Sequence, residues 1–477
     1  MNKPTEVRNP RNGKYDYVIL PPSPRLLSHQ CQRARRSQIR WYHIGLEARI
    51  ETLQTWKQAI VTGREQLTQA LVSDTGRLST SILEINSFLD NIDRWCDLGP
   101  ELLRDWAKNT AVPFIALEQT SVPYPLVGVI SSWNLPLLLS TINTIPALLA
   151  GCAVIVKPSE ISPRFVAPLI TALNSAPDLR DVLSFVEGGG ETGANLIENV
   201  DLVCFSGSLT TGRKVAQSAA QLFIPAYLEL EGKDPAIVLE SANLELATSA
   251  ILWGSVFNAG QSFVSIQRIY VAQSIFAEFY HQLIAKAISL QLAYPQLDSG
   301  EIGPIITERQ AAIINDHLID AMEKGALIHC GGKVEQLGGG WWCRPTVITQ
   351  VNHSMKVMTE PTFGPIMPVM PFTTVEEAVY LANDSIYGKS AAVFAVSEEE
   401  ALAVGRQIDA AAISINDAAL TAIMSEGEKN SFKFSGLGGS PMGRGLIQRF
   451  LRKKAFLIKT NSSPDPWWFD HSWGDLY

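Results

Sequence analysis

The chain has 477 residues, of which 46% are hydrophobic and 18% are charged. This balance is typical of a folded protein of two or three domains and excludes the disordered class. Its 39 Lys and Arg face 47 Asp and Glu, and the net charge of −8 argues against a nucleic-acid-binding surface. The six cysteines are scattered, with no Cys-x-x-Cys pair, so we predict neither a metal site nor a disulfide framework and expect a cytoplasmic protein. We also expect no membrane span, because every long apolar run is interrupted.

The first quarter of the chain is predicted to be helical after a short arm. Residues 1–24 carry Pro and Arg and show little periodicity, so we predict an arm. From about residue 26 to residue 109, apolar residues recur at helical spacing and predict a run of helices. At Phe114 the period changes to two, and residues 114–131 are predicted to form antiparallel strands joined by a turn.

Strand-like and helix-like segments alternate from there to about residue 420, which predicts parallel sheets with crossover helices. We therefore predict an α/β protein of two domains, the first formed by residues 1–113 and 127–232 and the second by residues 233–445. Residues 114–126 and 446–477 are predicted to form a separate β element and an aromatic tail, PDPWWFDHSW, that packs over a groove.

Two strand ends are candidates for phosphate and ribose binding. Gly207 and Ser208 follow the strand DLVCF and open a helix, whose free N–H groups and positive dipole end suit a phosphate. Lys157, Ser159 and Glu160 follow the strand AVIV, at the carboxyl edge where α/β sheets bind ligands. A capped helix and a surface ion pair are the alternatives. The run GGGETG at residues 188–193 also fits G-x-G-x-x-G, but adjacent glycines suit any tight turn.

Together with four further segments, these strand ends resemble the aldehyde dehydrogenase superfamily in order and spacing over nearly the whole chain. The segments are SSWNLP at Ser131–Pro136, LELEGK at Leu228–Lys233, FNAGQSF at Phe257–Phe263 and TEPTFGPI at Thr359–Ile366. The resemblance implies an aldehyde dehydrogenase-like fold with a Rossmann-type cofactor domain, a catalytic domain and a bridging β element. It also implies NAD or NADP as cofactor and a homodimer or higher oligomer. The aromatic residues Trp133, Phe257 and Phe263 predict an apolar pocket and therefore a small apolar aldehyde or a related ligand.

The resemblance also implies the roles of individual residues. Asn134 matches the amide that stabilises the oxyanion, and Glu229 matches the general base. Lys157 and Glu160 match the contacts to the adenine-side ribose, where a carboxylate favours NAD over NADP. The remaining cofactor contacts implied are Trp133, Ser159, Gly207, Ser208 and Phe363.

Three positions depart from the family pattern. The nucleophilic cysteine is replaced by Phe263, which cannot add to an aldehyde. The Glu that holds the nicotinamide-side ribose is replaced by Pro361, which has neither a side-chain acceptor nor an N–H. The first Gly of Glu-Leu-Gly-Gly-Lys is replaced by Glu231, where the resemblance places the nicotinamide close to the backbone.

The sequence leaves three interpretations open. In the first, the protein has lost aldehyde oxidation and serves as a binding or scaffold protein. In the second, Glu229, Glu231 and Asn134 carry out acid–base chemistry without covalent capture. In the third, an ordinary NAD-dependent aldehyde dehydrogenase uses another nucleophile. The changes at Phe263, Pro361 and Glu231 favour the first interpretation.

Overall fold

A computed structural model describes residues 4–104, 106–110, 115–439 and 441–460. In chain order the strands are β1 Thr5–Arg8, β2 Tyr15–Ile19, β3 Trp106–Asn109, β4 Ile115–Pro123, β5 Leu126–Ile130, β6 Ala153–Lys157, β7 Leu183–Phe185, β8 Leu202–Ser206, β9 Ala226–Glu229, β10 Asp234–Val238, β11 Ile266–Ala272, β12 Leu327–Cys330, β13 Val334–Leu337, β14 Gly340–Cys343, β15 Thr346–Thr349, β16 Ile366–Phe372, β17 Tyr387–Gly388, β18 Ser390–Phe394, β19 Ala412–Ile415, β20 Phe432–Lys433, β21 Gly436–Leu437 and β22 Leu451–Lys459. The helices are α1 Pro24–His43, α2 Leu46–Thr62, α3 Arg64–Thr75, α4 Leu78–Leu102, α5 Pro136–Thr141, α6 Thr144–Ala150, α7 Val166–Ala172, α8 Pro177–Arg180, α9 Gly190–Ile197, α10 Leu209–Leu222, α11 Leu244–Val256, α12 Phe276–Ser289, α13 Glu308–Glu323, α14 Lys356–Thr359, α15 Val375–Asn383 and α16 Glu398–Gly405.

The N-terminal segment predicted to be an arm contains a hairpin that the sequence analysis did not predict. Strands β1 and β2 pair antiparallel, and long-range contacts fix the turn between them. Arg11 donates to the carbonyls of Gly76, Ala293 and Pro295, at 3.0, 2.9 and 2.8 Å. These partners are distant in sequence, which explains why local periodicity did not reveal the hairpin.

The first large sheet has six strands in the order β21-β9-β8-β5-β6-β7. Its strands are parallel except for β21, which pairs antiparallel with β9. Strand β5 lies at its centre, and all five of its residues are buried. The prediction that β4 and β5 pair antiparallel was therefore wrong, because full burial on both faces favours the centre of a parallel sheet.

The second large sheet has seven strands in the order β12-β15-β16-β11-β10-β18-β19. Only β12 runs antiparallel to its neighbour. The chain passes from β9 of the first sheet to β10 of the second through residues 230–233. This crossing brings the segment LELEGK between the two sheets and confirms the predicted α/β class.

A third, three-stranded sheet lies outside both large sheets. Its order is β22-β4-β3, and all its pairs are antiparallel. Strand β22 pairs with β4 over nine residues, from Leu451 opposite Pro123 to Lys459 opposite Ile115. Strand β3 replaces the end of the predicted helical run, since α4 ends at Leu102. The aromatic tail at 462–477 lies outside the described residues.

Each large sheet has its own hydrophobic core. The first core surrounds β5, β6 and β8 and includes Trp41, Trp56 and Trp95. The second surrounds β10, β11 and β18 and includes Trp342. Within the described ranges no helix has the length and apolar character needed to cross a membrane.

Candidate active-site cavity

A cavity of about 620 Å³ lies where strands of the first sheet end. One wall is formed by the residues that follow β5, β6 and β8, whose carboxyl ends meet at one sheet edge. The opposite wall belongs to the second half of the chain and includes Phe263, Arg309, Pro361 and Phe363. The cavity is therefore bounded by both large α/β units.

Ten of the twelve residues singled out from the sequence line this cavity. They are Trp133, Lys157, Ser159, Glu160, Gly207, Ser208, Glu231, Phe263, Pro361 and Phe363. Glu229 and Asn134 are absent from the described lining. Gly190 and Gly193 also line the cavity, although the sequence analysis interpreted these glycines only as turn residues. Their position after β7, at the start of α9, could have indicated that they belong to the site.

The strand end after β6 presents an ion pair to the cavity. The Lys157 ammonium donates to Glu160 Oε2 at 3.0 Å, and Lys157 is buried whereas the Glu160 carboxylate is partly exposed. Ser159 Oγ accepts the N–H of Ile161 at 3.2 Å, which fixes the turn. This arrangement offers donors and acceptors together, as hydroxyl groups of a sugar require.

The N-terminus of α10 carries a carboxylate from elsewhere in the chain. Ser208 caps the helix by accepting the N–H of Thr211 at 3.4 Å. The N–H of Leu209 donates to Glu231 Oε2 at 3.0 Å. Burial raises the pKa of Glu231, while the Leu209 N–H and the charge of Arg309 act in the opposite direction. The sequence placed Glu231 beside the nicotinamide, but its carboxylate reaches the helix terminus expected to hold phosphate.

The loop that carries Phe263 has a tightly constrained backbone. Asn258, Ala259 and Gly260 have positive φ angles of 58°, 53° and 72°. At Gly260 a Cβ would lie 2.2 Å from the carbonyl oxygen of Gly364, so this position requires glycine. The Gln261 side chain accepts from the N–H of Ile306 at 3.0 Å and donates to the carbonyl of Pro304 at 3.2 Å. The loop therefore holds its final residues in fixed positions.

An aromatic cluster fills the end of this loop. The Phe263 ring lies 5.4 Å from Phe363, edge to face, and Phe363 lies 6.2 Å from Trp133. Phe263 is 8% exposed. Such edge contacts are favourable beyond simple burial. Phe263 is thus part of a packed wall.

Asn134 is hydrogen-bonded to the loop that carries Phe263. Its Nδ2 donates to the carbonyl of Gln261 at 3.0 Å, and its own carbonyl accepts from Asn258 Nδ2 at 3.0 Å. Asn134 is fully buried, and its Oδ1 has no partner among the described residues. The amide is therefore engaged with the protein backbone.

Glu229 forms a buried ion pair that the sequence did not reveal. Its Oε2 accepts from Lys389 Nζ at 2.6 Å, and the two side chains are 11% and 10% exposed. Lys389 Nζ also lies 5.7 Å from the centre of the Phe263 ring. Oε1 of Glu229 has no partner within the described part of the chain. The sequence feature that could have indicated this ion pair is Lys389 itself, a lysine directly before the apolar strand β18.

Two more ionisable residues, Asp234 and Lys429, interact electrostatically with the Glu229–Lys389 ion pair. Burial raises the pKa of Asp234 to about 7, and Ser390 donates a hydrogen bond to it. Burial, and then the charge of Lys389, lower the pKa of Lys429 to about 8, while Glu229 and Asp234 act in the opposite direction. The region behind Phe263 is therefore a cluster of closely coupled charges.

The cysteines do not supply a nucleophile to this cavity. All six lie in the described ranges, and none lines it. Burial is the main cause of a raised pKa at each thiol, to about 11 at Cys31 and Cys96 and to about 12 at Cys204 and Cys343. Cys152 and Cys330 shift in the same direction. At neutral pH these groups are thiols, which are poor nucleophiles.

The fold is that of an aldehyde dehydrogenase, and comparison with known proteins agrees. The model of the aldehyde dehydrogenase family matches residues 2–456, so the chain belongs to that family.

Among solved structures, the chain resembles a putative aldehyde dehydrogenase PutA from Anabaena variabilis. The two are 75% identical with a TM-score of 0.97, over 98% of this chain and 100% of the other. It also resembles a betaine aldehyde dehydrogenase from Staphylococcus aureus solved in complex with NAD+, at 28% identity and a TM-score of 0.92, over 98% of this chain and 94% of the other. A curated relative, the 4,4'-diapolycopene aldehyde oxidase of a Methylomonas species, is 36% identical over 94% of this chain and 85% of its own length.

Proposed function

We propose that this family member does not oxidise aldehydes and instead serves as a ligand-binding protein. The observation that carries the proposal is Phe263, a buried phenyl ring at the position that the resemblance assigns to the nucleophile. Oxidation in the family needs a thiolate that adds to the aldehyde before hydride leaves. A phenyl ring has no group that can form this bond.

Neighbouring hydroxyl groups do not compensate for the missing thiol. Ser262 Oγ accepts the N–H of Val264 at 3.4 Å. Ser265 Oγ donates to the carbonyls of Gly254 and Ser255 at 3.2 and 3.3 Å. Both serines are buried. A serine needs an adjacent base to act as a nucleophile, and neither has one among the hydrogen bonds of the described residues.

The acid–base alternative has little support from the geometry. The Glu229 Oε2 atom accepts from Lys389 Nζ at 2.6 Å, so the carboxylate is already engaged in an ion pair. Asn134 already donates its amide to Gln261. We therefore do not propose acid–base catalysis by these two residues.

The cavity suits one half of NAD or NADP better than the other. Lys157 and Glu160 offer polar groups for a ribose, and the position after β6 is where such groups bind in α/β sheets. At the other half, Glu231 occupies the helix terminus, Pro361 lacks an acceptor, and Phe263 occupies the reacting position. We therefore propose weakened cofactor binding and a small aromatic or apolar ligand.

The test is an aldehyde oxidation assay with purified protein. NAD+ and NADP+ are each supplied with a panel of aliphatic and aromatic aldehydes, and the absorbance of the reduced cofactor is followed. We expect no formation above that of a Glu229→Ala control. A family member of demonstrated activity, assayed in parallel, confirms that the substrates and the assay are competent. Sustained turnover by the wild-type chain would contradict the proposal.

We also propose a cytoplasmic homodimer or higher oligomer formed through the three-stranded sheet. Strands β22 and β3 are its outer strands, and β22 exposes Phe456 and Leu457. Open strand edges with exposed apolar groups favour pairing. We expect light scattering to give at least twice the chain mass of 52.2 kDa, and Leu457→Asp to reduce it. A wild-type monomer would contradict this expectation.

A further inference from the structure

The carboxylate of Glu231 is held at the N-terminus of α10 by the fold around it. Helix α10 has 14 residues, and Leu209, its first residue, donates its N–H to Glu231 at 3.0 Å. The backbone on both sides of Glu231 is also fixed. Gly207 donates its N–H to the carbonyl of Glu229 at 3.1 Å, and Ser435 donates to the carbonyl of Glu231 at 2.8 Å. The side chain also lines the cavity.

A carboxylate in this position changes which ligand the helix can take. The N-terminus of a helix stabilises anions through its free N–H groups and its dipole. Glu231 already uses one of those donors and contributes a negative charge of its own. A diphosphate brought to the same terminus would meet that charge at short range and would find the Leu209 N–H engaged, which weakens its binding.

The end of the cavity at Lys157 and Glu160 lies away from the Glu231 carboxylate at the N-terminus of α10. Lys157 and Glu160 provide a donor and an acceptor for sugar hydroxyls. Ile161, Ile197 and Val215 line the neighbouring wall and offer an apolar surface for a flat ring. This part of the cavity therefore keeps the features that a nucleoside needs and does not require phosphate.

We infer that Glu231 is a built-in anion that excludes dinucleotides, so that the cavity selects a phosphate-free nucleoside over NAD(P). This inference rests on the proposed function, because it names the ligand class for the part of the same cavity where we propose weakened cofactor binding. Lys157, Glu160, Lys214 and Arg309 are the other charged residues of the described cavity lining, and of these Arg309 acts electrostatically on Glu231. Burial raises the pKa of the Glu231 carboxyl, while the Leu209 N–H and the charge of Arg309 act in the opposite direction and favour the ionised form.

Calorimetric titration of the full-length protein tests the inference. Wild type, Glu231→Gln and Glu231→Gly are each titrated with adenosine and with NAD+, without aldehyde. Wild type should bind adenosine at least as tightly as NAD+. Both variants should bind NAD+ about tenfold more tightly than wild type does, because removing one nearby like charge is worth at least that much. Their affinity for adenosine should remain within about twofold of wild type.

The variants and the control separate charge from folding. Glu231→Gln removes the charge but keeps an acceptor for the Leu209 N–H. It therefore still tests the inference if the Glu231→Gly variant misfolds. Glu198→Gln, at an exposed position just after α9 and outside the cavity lining, should change neither affinity.

Three results would overturn the inference: tighter binding of NAD+ than of adenosine by wild type, no binding of adenosine to wild type, or an unchanged NAD+ affinity in Glu231→Gln. Tight NAD+ binding without turnover would overturn this inference and the proposed weakening of cofactor binding, but would leave the proposed loss of aldehyde oxidation standing. Aldehyde turnover with weak NAD+ binding would overturn the proposed function and leave this inference about the cofactor standing.

Discussion

Restoring the thiol alone is expected to leave aldehyde oxidation slow. Phe263→Cys should form reduced cofactor at least about 100-fold more slowly than the triple variant Phe263→Cys, Glu231→Gly, Pro361→Glu. Two unfavourable cofactor contacts remain in the single variant, and each lost contact costs about a factor of ten. The measurement is the rate of reduced cofactor formation at saturating aldehyde.

A thiol one residue away serves as the matched control for that comparison. Ser262→Cys introduces the same group on the same loop at a buried position, and we expect it to remain inactive with or without the other two changes. Equal rates for Phe263→Cys and the triple variant would show that the cofactor half of the cavity is still intact. A folded triple variant that binds NAD+ but stays inactive would show that Phe263 is not the decisive change.

Breaking the ion pair behind Phe263 is expected to destabilise the fold strongly. Lys389→Met should lower the free energy of unfolding by about 3–5 kcal/mol, because it leaves the Glu229 carboxylate buried without its partner. Removing both charges with Lys389→Met and Glu229→Gln should recover most of that loss. Denaturant-induced unfolding of the single and double variants measures both values.

An exposed ion pair provides the comparison for this prediction. Lys333 and Glu335 lie 3.5 Å apart, and the lysine side chain is 70% exposed. Lys333→Met should therefore change the free energy of unfolding by less than about 1 kcal/mol. If Lys389→Met were as mild as Lys333→Met, Glu229 would be free of its partner in solution, and the acid–base alternative would regain support.

Much of the fold could be predicted from local pattern. The alternation of β-branched strands with helix-like segments is a property of neighbouring residues, and it indicated both parallel sheets. The hairpin β1–β2 was missed because it is held by Arg11, whose partners lie at Gly76, Ala293 and Pro295. The central position of β5 was missed because pairing partners are set by burial on both faces, which a single segment does not reveal.

The site was predictable to the extent that it lies at strand ends. Gly207, Ser208 and Lys157 follow apolar strands, and parallel strands bring their carboxyl ends to one edge. The pairing of Glu229 with Lys389 joins residues 160 positions apart, and no local pattern encodes it. The position of the Glu231 carboxylate depends on how β9 lies beside β8. This is a tertiary relation, and the replacement of the family glycine by Glu231 does not reveal it.

The most direct test of the central claim is the detection of carboxylic acid product. Wild-type protein is incubated with saturating NAD+ and an aromatic aldehyde, and the acid is quantified by mass spectrometry alongside the reduced cofactor. We predict no acid above the level of a sample without protein, because Phe263 leaves no group to capture the aldehyde. Equimolar acid and reduced cofactor, accumulating over many turnovers, would contradict the proposal that this family member has lost oxidation.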